Sequence, residues 1–381
     1  MNNLIDQNTV IEEVKEFAQK KIRPFATIFE NEEKLPNDLI TNLAKNGYLT
    51  ASIPRDFGGL ELDSLHYGLF TEEIGKACCN TRGLITVNTS LVAETLLKWG
   101  SIEQKMRWLP MMSTGEKIGA FALTEPNVGT DAKNIQCTYS DSNSGYILNG
   151  KKKWISFAEI ADFFIVVARG EKGISTFIVE RNYEGIEVKP IKGLLANKAS
   201  HISEIEFKNV EIPRENLLSK EGCGFSFVVN TALDNGRYSI AWAGVAIAQE
   251  ALDAMVKYSR NRNQFGKGIH TFQHIQGMIA DATTNIHAAR ALCIEAANNR
   301  MNKGHEAVIK TTIAKYFSSK IAMNVAIDAV QVHGGNGCYS EYPVERLFRE
   351  AKVLEIIEGT SQIQKNIISS YALRKYYYNT K

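Results

Sequence analysis

The sequence predicts an α+β protein built as three consecutive blocks: helical, then β, then helical. Three observations carry this. Apolar residues recur at the helical period of about 3.6 through the first third of the chain. Short β-rich segments alternate with turns from Ile118 to about residue 224. From Phe225 the helical period returns and dominates to the end. Helices and strands are segregated, which argues against the βαβ alternation of a parallel nucleotide-binding sheet. The expected units are residues 1–117, 118–224 and 225–381, and 381 residues suit two or three domains at ~150 each.

In the first block, Val10, Ile11, Val14, Phe17, Ala18 and Ile22 share one helical face. Glu12, Glu13 and Glu16 lie early and Lys20, Lys21 and Arg23 late, as the helix dipole prefers. Pro24 marks a break. A second helix follows Pro36 and stops at Gly47. Leu62, Leu65, Leu69 and Ile74 mark a third, and Leu91 to Trp99 another. Ser101-Ile-Glu-Gln104 has the capping-box spacing that opens the next. In the second block, strands are expected over 118–123, 134–139, 146–148, 153–157, 163–168, 175–179, 186–191 and 202–207. Asn149-Gly150 reads as a hairpin turn between two of them, and the spacing suggests a small antiparallel barrel or sandwich. Lys151-Lys-Lys153 reads as a solvated strand end. In the third block, Ile240–Tyr258, Phe272–Met301 and His305 to about Val332 read as long helices, punctuated by glycines at 266–268 and 334–337.

Composition narrows the function. Apolar residues are 44% and charged residues 23%, as in ordinary globular proteins. Lys+Arg at 44 against Asp+Glu at 42 leaves a net charge of +2, which gives no support to nucleic-acid binding. Six scattered cysteines without a CxxC pair fit a reducing compartment. The N-terminal residues lack a basic and apolar leader pattern, and no run of ~18 apolar residues occurs, so neither a signal peptide nor a membrane span is read. The final Tyr-Asn-Thr-Lys matches no retention or peroxisomal address. The expectation is a soluble, cytoplasmic protein. His270 and His274 have the spacing of two metal ligands, but no third ligand accompanies them, and no metal site is expected.

No GxGxxG, GxxxxGK[ST] or GxSxG stretch is present, so Rossmann, P-loop and nucleophile-elbow chemistry lack their signatures. A phosphate-bearing cofactor would need another cradle. Thr124–Thr130, with hydroxyls and Gly129, is one candidate, and Gly334–Gly337 another. Glu358 ends an apolar stretch and precedes Gly359-Thr360-Ser361. Held dry, such a carboxylate has a raised pKa suited to proton abstraction. The same position also suits a carboxylate that merely favours a helix N-terminus, and the residues alone leave both readings open.

Five segments in order resemble the FAD-dependent acyl-CoA dehydrogenase family over nearly the whole chain. They are Gly119-Ala-Phe-Ala-Leu-Thr-Glu-Pro-Asn-Val-Gly-Thr-Asp131, Lys153-Trp-Ile-Ser156, Arg262-Asn-Gln-Phe-Gly266 with Phe272-Gln273, Gln331-Val-His-Gly-Gly335, and Glu358-Gly-Thr-Ser-Gln362. The resemblance implies an N-terminal α-helical domain, a middle β-barrel domain and a C-terminal four-helix-bundle domain, assembled as a dimer or tetramer. It implies that Phe121, Leu123, Thr124, Gly129 and Thr130, with Trp154, Ile155 and Ser156, line the flavin. Arg262, Gln264, Phe265, Phe272 and Gln273, with Gln331, Val332, Gly334 and Gly335, would hold the ADP part of a neighbouring subunit's cofactor. Thr360 and Gln362 would complete that cradle.

By the same resemblance Glu358 would be the general base. Its backbone N–H and a flavin ribityl hydroxyl would bind the thioester oxygen. Thr130, Asp234, Arg237 and Gly359 would contact substrate. Some relatives place the base within the segment that here reads Leu233-Asp-Asn-Gly-Arg237; Gly236 stands at that spot, which favours Glu358. An electron-transfer flavoprotein would accept the electrons, with direct use of oxygen as another outcome. His333 stands where many relatives carry an apolar residue. The stretch 198–205 is similar to dehydrogenases of polyketide and peptide assembly lines. The substrate expected from the family resemblance is an acyl-CoA. The alternative is an acyl or hydroxyacyl group on a carrier protein, as in polyketide or nonribosomal peptide biosynthesis. A third reading is a non-catalytic flavin-binding protein.

Overall fold

The computed structural model describes residues 6–378; Asn379–Lys381, part of the C-terminal address reading, lie outside them. The helical start is as the periodicity requires. Helix α1 (Gln7–Phe17) is capped by the Asp6 carboxylate and buries Val10 and Val14. It continues as a π-helical turn to Ile22, and the chain then kinks at Pro24. Helices α2 (Ala26–Glu32), α3 (Asn37–Lys45) and α4 (Ser64–Ala77) follow. Helix α5 (Cys79–Ile85) runs through a buried π-helical segment, Thr86–Ala93, into α6 (Glu94–Trp99). The helix expected over Leu91–Trp99 is thus only the end of a longer one. Its polar residues obscure the apolar period because they are used internally: Asn88 and Thr89 both donate to the Leu49 carbonyl. Helix α7 (Ile102–Ser113) begins in the expected capping box, with Ser101 Oγ accepting from Gln104 N–H and Gln104 Oε1 from Ser101 N–H.

The middle block is one eight-stranded, mainly antiparallel sheet: β1 (Gly119–Ala122), β2 (Thr138–Asp141), β3 (Gly145–Ile155), β4 (Phe163–Gly170), β5 (Gly173–Glu180), β6 (Ile186–Pro190), β7 (Ser203–Pro213) and β8 (Leu217–Leu218). The order is β6-β7-β3-β2-β4-β5-β8, with β1 parallel to β4. Residues 163–168 of β4 are buried on both faces, and Trp108 of α7 packs on Phe163 with ring centroids 4.3 Å apart. Helices therefore cover the sheet where its strands lose the apolar-polar alternation.

Two expectations fail here for identifiable reasons. Asn149-Gly150 is not a hairpin turn but a bulge inside β3, where the register against β7 slips between Leu148 and Gly150. Gly150 takes φ +140°, and a Cβ there would lie 2.7 Å from Cys137 Cα. Asn149 is bonded to Asn209 of β7 through both ends of its amide. Pairing with a strand distant in sequence overrides the local turn preference. The turn between β2 and β3 lies instead at Ser142–Ser144.

The lysine run is likewise not uniformly solvated. Alternation along the strand sends Lys152 inward. It is fully buried, 2.7 Å from Glu125 Oε1 and 3.0 Å from the Leu123 carbonyl oxygen, to which it donates. Glu125 also accepts the backbone N–H groups of Gln136 and Cys137, which is why the strand expected from Asn134 starts only at Thr138.

The last block is organised by α8 (Asn230–Asn261), longer than its apolar core suggested and preceded by a π-helical turn over Phe225–Val229. A short hairpin (Asn263–Gln264, Lys267–Gly268) leads to α9 (Gln273–Met301), α10 (Ala307–His333), α11 (Pro343–Leu354) and α12 (Ser361–Tyr378). Helix α8 packs against α9, α10 and α11 and also against α4, so it links the two helical blocks. Among the described residues no helix is long and apolar enough to cross a membrane.

Removing one partner of a buried ion pair strands the other charge, at a cost of about 3–5 kcal/mol. Glu125→Gln is accordingly expected to lower stability by that order in urea denaturation. Lys152→Met added in the same chain should recover a large part of it.

Candidate active site

Helix α11 ends at Leu354, and the chain turns back through Glu358 and Gly359 before α12 starts at Ser361. Both turn residues are left-handed, with φ +53° at Glu358 and +94° at Gly359. For a glutamate this conformation is uncommon and needs support. Three side chains from three helices supply it. Arg237 of α8 donates to the Glu358 carbonyl oxygen (3.1 Å) and Lys315 of α10 to that of Gly359 (2.7 Å). Gln364 of α12 donates to both, at 3.2 and 3.1 Å. The backbone is fastened while the carboxylate is not. Glu358 is partly exposed as a residue, but its Oε2 is buried without a hydrogen-bond partner. That oxygen occupies the space a side chain at Gly236 of α8 would need. No acceptor among the described residues takes the Glu358 backbone N–H.

Burial pushes the Glu358 carboxyl up to about 7; Arg237, Lys315 and Arg82 pull against it, in that order. Burial pushes the Lys315 ammonium down to about 8, with Glu358 opposing. Burial also pushes the Arg237 guanidinium below its usual value. The group best placed to gain or lose a proton near neutrality is therefore a carboxyl with a dry, unclaimed oxygen.

A second group of candidate residues adjoins the start of α8. Leu123 and Phe121 pack with Leu233 around Val128, within a helical turn of Gly236. The loop following β1 is closed by reciprocal backbone bonds between Glu125 and Val128, and its Thr124 carbonyl accepts from Lys153 N–H. Gly129 and Thr130 are exposed, and a Cβ at Gly129 would meet nothing within 4 Å. Beside it, the register slip between Lys152 and Ile155 turns Trp154 out with φ +63° and half its surface exposed. Ser156 is half-buried, whereas Ile155 is in the core and has only backbone to offer a ligand. A flat aromatic face, free loop amides and hydroxyls beside a dry carboxyl suit a flavin ring and its chain.

The third group forms a different cavity of about 420 Å³ at the far end of α8. Arg262, Gln264, Val332, Gly334 and Gly335 line it, as do Tyr258, Ile269, His333 and Asn336, which sequence reasoning did not select. His333 stacks on Tyr258 at 4.1 Å, and burial pushes its imidazole below the usual value. Phe265 projects at 93% exposure, edge-on to Phe272; Gln273 and Gln331 are exposed. A guanidinium, amides and open glycine backbone are the donors a pyrophosphate and purine require. From Gly236 to Arg262, α8 runs roughly 39 Å at ~1.5 Å per residue, so the two groups do not meet within one chain.

Other candidates are placed as follows. Gly359 and Thr360 belong to the turn beside Glu358, and Gln362 faces solvent. Asp234 is engaged by Arg300 at 2.6 Å, and Arg300 lines a cavity of about 80 Å³ together with Asn235, Glu94 and Tyr238. Sequence reasoning missed Lys315, Gln364, Arg82 and the Lys152–Glu125 pair. A charge isolated in an apolar helical stretch is the available signal for Lys315 and Arg82.

Three family models match the chain in order: the acyl-CoA dehydrogenase N-terminal domain over residues 5–116, the middle domain over 120–210 and the C-terminal domain over 222–373. An acyl-CoA dehydrogenase of Bacillus subtilis is 40% identical over 94% of this chain and 96% of its own length. A protein of Acetobacterium woodii named as a subunit of a caffeyl-CoA reductase-Etf complex is 36% identical over 97% and 99%. Among solved structures, butyryl-CoA dehydrogenase from Megasphaera elsdenii superposes with a TM-score of 0.93 at 34% identity, covering 98% and 99%. A glutaryl-CoA dehydrogenase from Mycobacterium smegmatis in complex with FADH2 does so with 0.93 at 26%, covering 98% and 97%.

A carboxyl raised from 4.5 to about 7 is neutral in the folded chain where it is ionised in the unfolded one. Stability from this group is complete below pH 4.5 and falls as pH rises through 7. Infrared difference spectra should show a protonated carboxyl titrating near pH 7 that Glu358→Gln removes. The same variant should melt higher than the parent at pH 8 and no higher at pH 4.

Proposed function

The chain belongs to the acyl-CoA dehydrogenase family, and we propose that it dehydrogenates an acyl group carried on coenzyme A, using FAD, with Glu358 as the base. The observation that carries this is the Glu358 carboxylate: dry, unpartnered at Oε2, poised near neutrality, and anchored only through its backbone.

The thioester makes the α-hydrogen acidic, and Glu358 removes it through Oε2. Burial raises that oxygen's basicity, and the neighbouring cations keep it ionised often enough to act. Negative charge then develops on the thioester oxygen, where the free Glu358 N–H can donate. Because Arg237, Lys315 and Gln364 are spent on carbonyls, none neutralises the carboxylate by direct contact. FAD, when bound, would supply the redox chemistry, hydride acceptance from the β-carbon. Trp154 and the loop through Thr130 would hold its ring, and the Arg262 cavity its ADP part. The relative named for an Etf complex supports an electron-transfer flavoprotein as the acceptor.

The carrier-protein alternative is not favoured, because the relatives of higher identity are named for acyl-CoA thioesters. In the stretch that suggested it, Lys198 N–H donates to Glu30 and Ser200 Oγ to Asn80, and the His201 ring lies between Leu35 N–H and Glu159. These contacts tie the β block to the N-terminal helices and do not speak to the substrate's carrier. The roughly 39 Å along α8 supports a cofactor shared between two copies, since one dinucleotide cannot touch both ends.

Glu358→Gln is expected to keep its yellow cofactor and lose about 10²–10⁴-fold in kcat toward short acyl-CoA thioesters. In the parent, kcat/KM should rise with pH to a plateau above about 7, because only the carboxylate accepts a proton. Full turnover by the variant would refute the assignment. Sharing between copies has its own test. Co-expressed Glu358→Gln and Arg262→Ala chains should regain activity that neither has alone, because one mixed site combines the intact residue of each. Mixed oligomers as inactive as either parent would exclude a shared site.

A further inference from the structure

Asp234 and Arg237 stand three residues apart on α8, the spacing at which opposite charges meet on a helix surface. Here they do not pair. Arg237 Nε donates to the Glu358 carbonyl oxygen at 3.1 Å. The Asp234 carboxylate is taken instead by Arg300, whose Nη1 donates to Oδ2 at 2.6 Å. Asp234 Oδ1 is buried without a hydrogen-bond partner. Two carboxyls still compete for one guanidinium: burial pushes Arg237 below its usual value, and Glu358 and then Asp234 oppose it.

Arg300 lies in the last turn of α9. Its Nη2 donates to Asn235 Oδ1, and its guanidinium sits 4.8 Å from the centre of the Tyr238 ring. Asn235 donates in turn to the Ser90 carbonyl oxygen at 3.4 Å, and the Tyr238 hydroxyl to that of Ser64. One guanidinium thus grips α8 on both sides of Gly236 and Arg237, the two residues that meet Glu358. Only the planar fork of an arginine serves two neighbouring oxygens in this way. The other titratable groups around it are Glu94 and Tyr67 of the same cavity; Glu94 accepts from the Ser52 hydroxyl at 2.6 Å.

Against its burial, the cations that act on the Glu358 carboxyl are Arg237, Lys315 and Arg82; Arg300 is not among them. Any influence of Arg300 on the base therefore passes through Asp234 and Arg237. Without Arg300, neither oxygen of Asp234 would have a partner, which is costly for a half-buried carboxylate. The cation at pairing distance along its own helix is Arg237. Turned toward Asp234, Arg237 would release the Glu358 carbonyl and withdraw the foremost cation from the base.

We infer that Arg300 is a positioning residue for the dehydrogenation: by occupying Asp234 it reserves Arg237 for the turn that carries Glu358. This rests on the dehydrogenase reading of Glu358 and adds to it a residue that touches neither the base nor its turn.

The test follows the Glu358 carboxyl by infrared difference spectroscopy in the FAD-loaded protein, where no turnover is needed. Arg300→Met should raise its titration midpoint by about one pH unit, the scale of one neighbouring cation. A carboxyl centred at about 7 is roughly half ionised at pH 7, and about a tenth ionised once its midpoint stands near 8. The kcat/KM at pH 7 should accordingly fall about fivefold and recover at higher pH. Adding Asp234→Asn should return the midpoint to that of the parent, because Arg237 then meets no second carboxylate. Arg300→Lys, which keeps a cation beside Asp234, should move it least. An unmoved midpoint in Arg300→Met would overturn the inference. So would a rise that Asp234→Asn does not reverse, the sign of loosened packing alone. If Arg300→Met does not fold, Arg300→Gln, which keeps a donor for Asn235 and removes only the charge, carries the same two expectations. An unmoved midpoint in a protein that oxidises acyl-CoA through Glu358 removes this inference alone. A midpoint moved and restored as expected, in a protein that oxidises no acyl-CoA, removes the dehydrogenase reading alone.

Discussion

The arrangement that the rest of the site depends on is the fastening of two consecutive carbonyls, those of Glu358 and Gly359, by donors from α8, α10 and α12. A left-handed glutamate would relax if left to itself. Arg237, Lys315 and Gln364 hold it, and because they bind main chain they leave the carboxylate without a contact. Had one of them turned to the side chain, an ordinary buried ion pair would have resulted, with the carboxyl held ionised and unable to accept a proton near neutrality. Gly236 completes the arrangement by giving the acid oxygen room against the helix.

Helix α8 turns this local geometry into a larger plan. Its first turns carry Leu233, Gly236, Arg237 and Ser239, and its last residue leads into the Arg262 cavity. The Gly236 position against which Glu358 lies and the Arg262 cavity are therefore fixed by one rigid rod at a set separation. The sheet contributes through a single buried pair. Lys152 and Glu125 tie β3 to the loop after β1, and the register slip that follows turns Trp154 outward. The near-neutral net charge conceals how uneven this is, since the cations that matter are buried singly around one carboxyl.

Much of this was legible in the sequence. The three-block order, the capping box at Ser101 and the helices over Phe272–Met301 and His305–Val332 follow from periodicity and caps, which are local properties. So does the suspicion attached to Glu358, through the apolar run before it and the glycine after it. Asn149-Gly150 was misleading because strand pairing with β7 is non-local and overrode a local turn preference. The Lys151–Lys153 run was misleading because burial alternates along a strand, and only the fold supplies Glu125 to meet the inward lysine. Lys315 and Gln364 carried no usable motif, as their role is defined by a turn distant from Lys315 in sequence.

By itself the sequence determined the class of fold and the family segments, and it singled out Glu358 as a candidate base. What it could not decide was the protonation behaviour of that residue. A pKa near 7 arises from burial set against three cations brought in from α5, α8 and α10. Desolvation and Coulomb interactions depend on distance in space, and neither is encoded in the residues adjacent to Glu358.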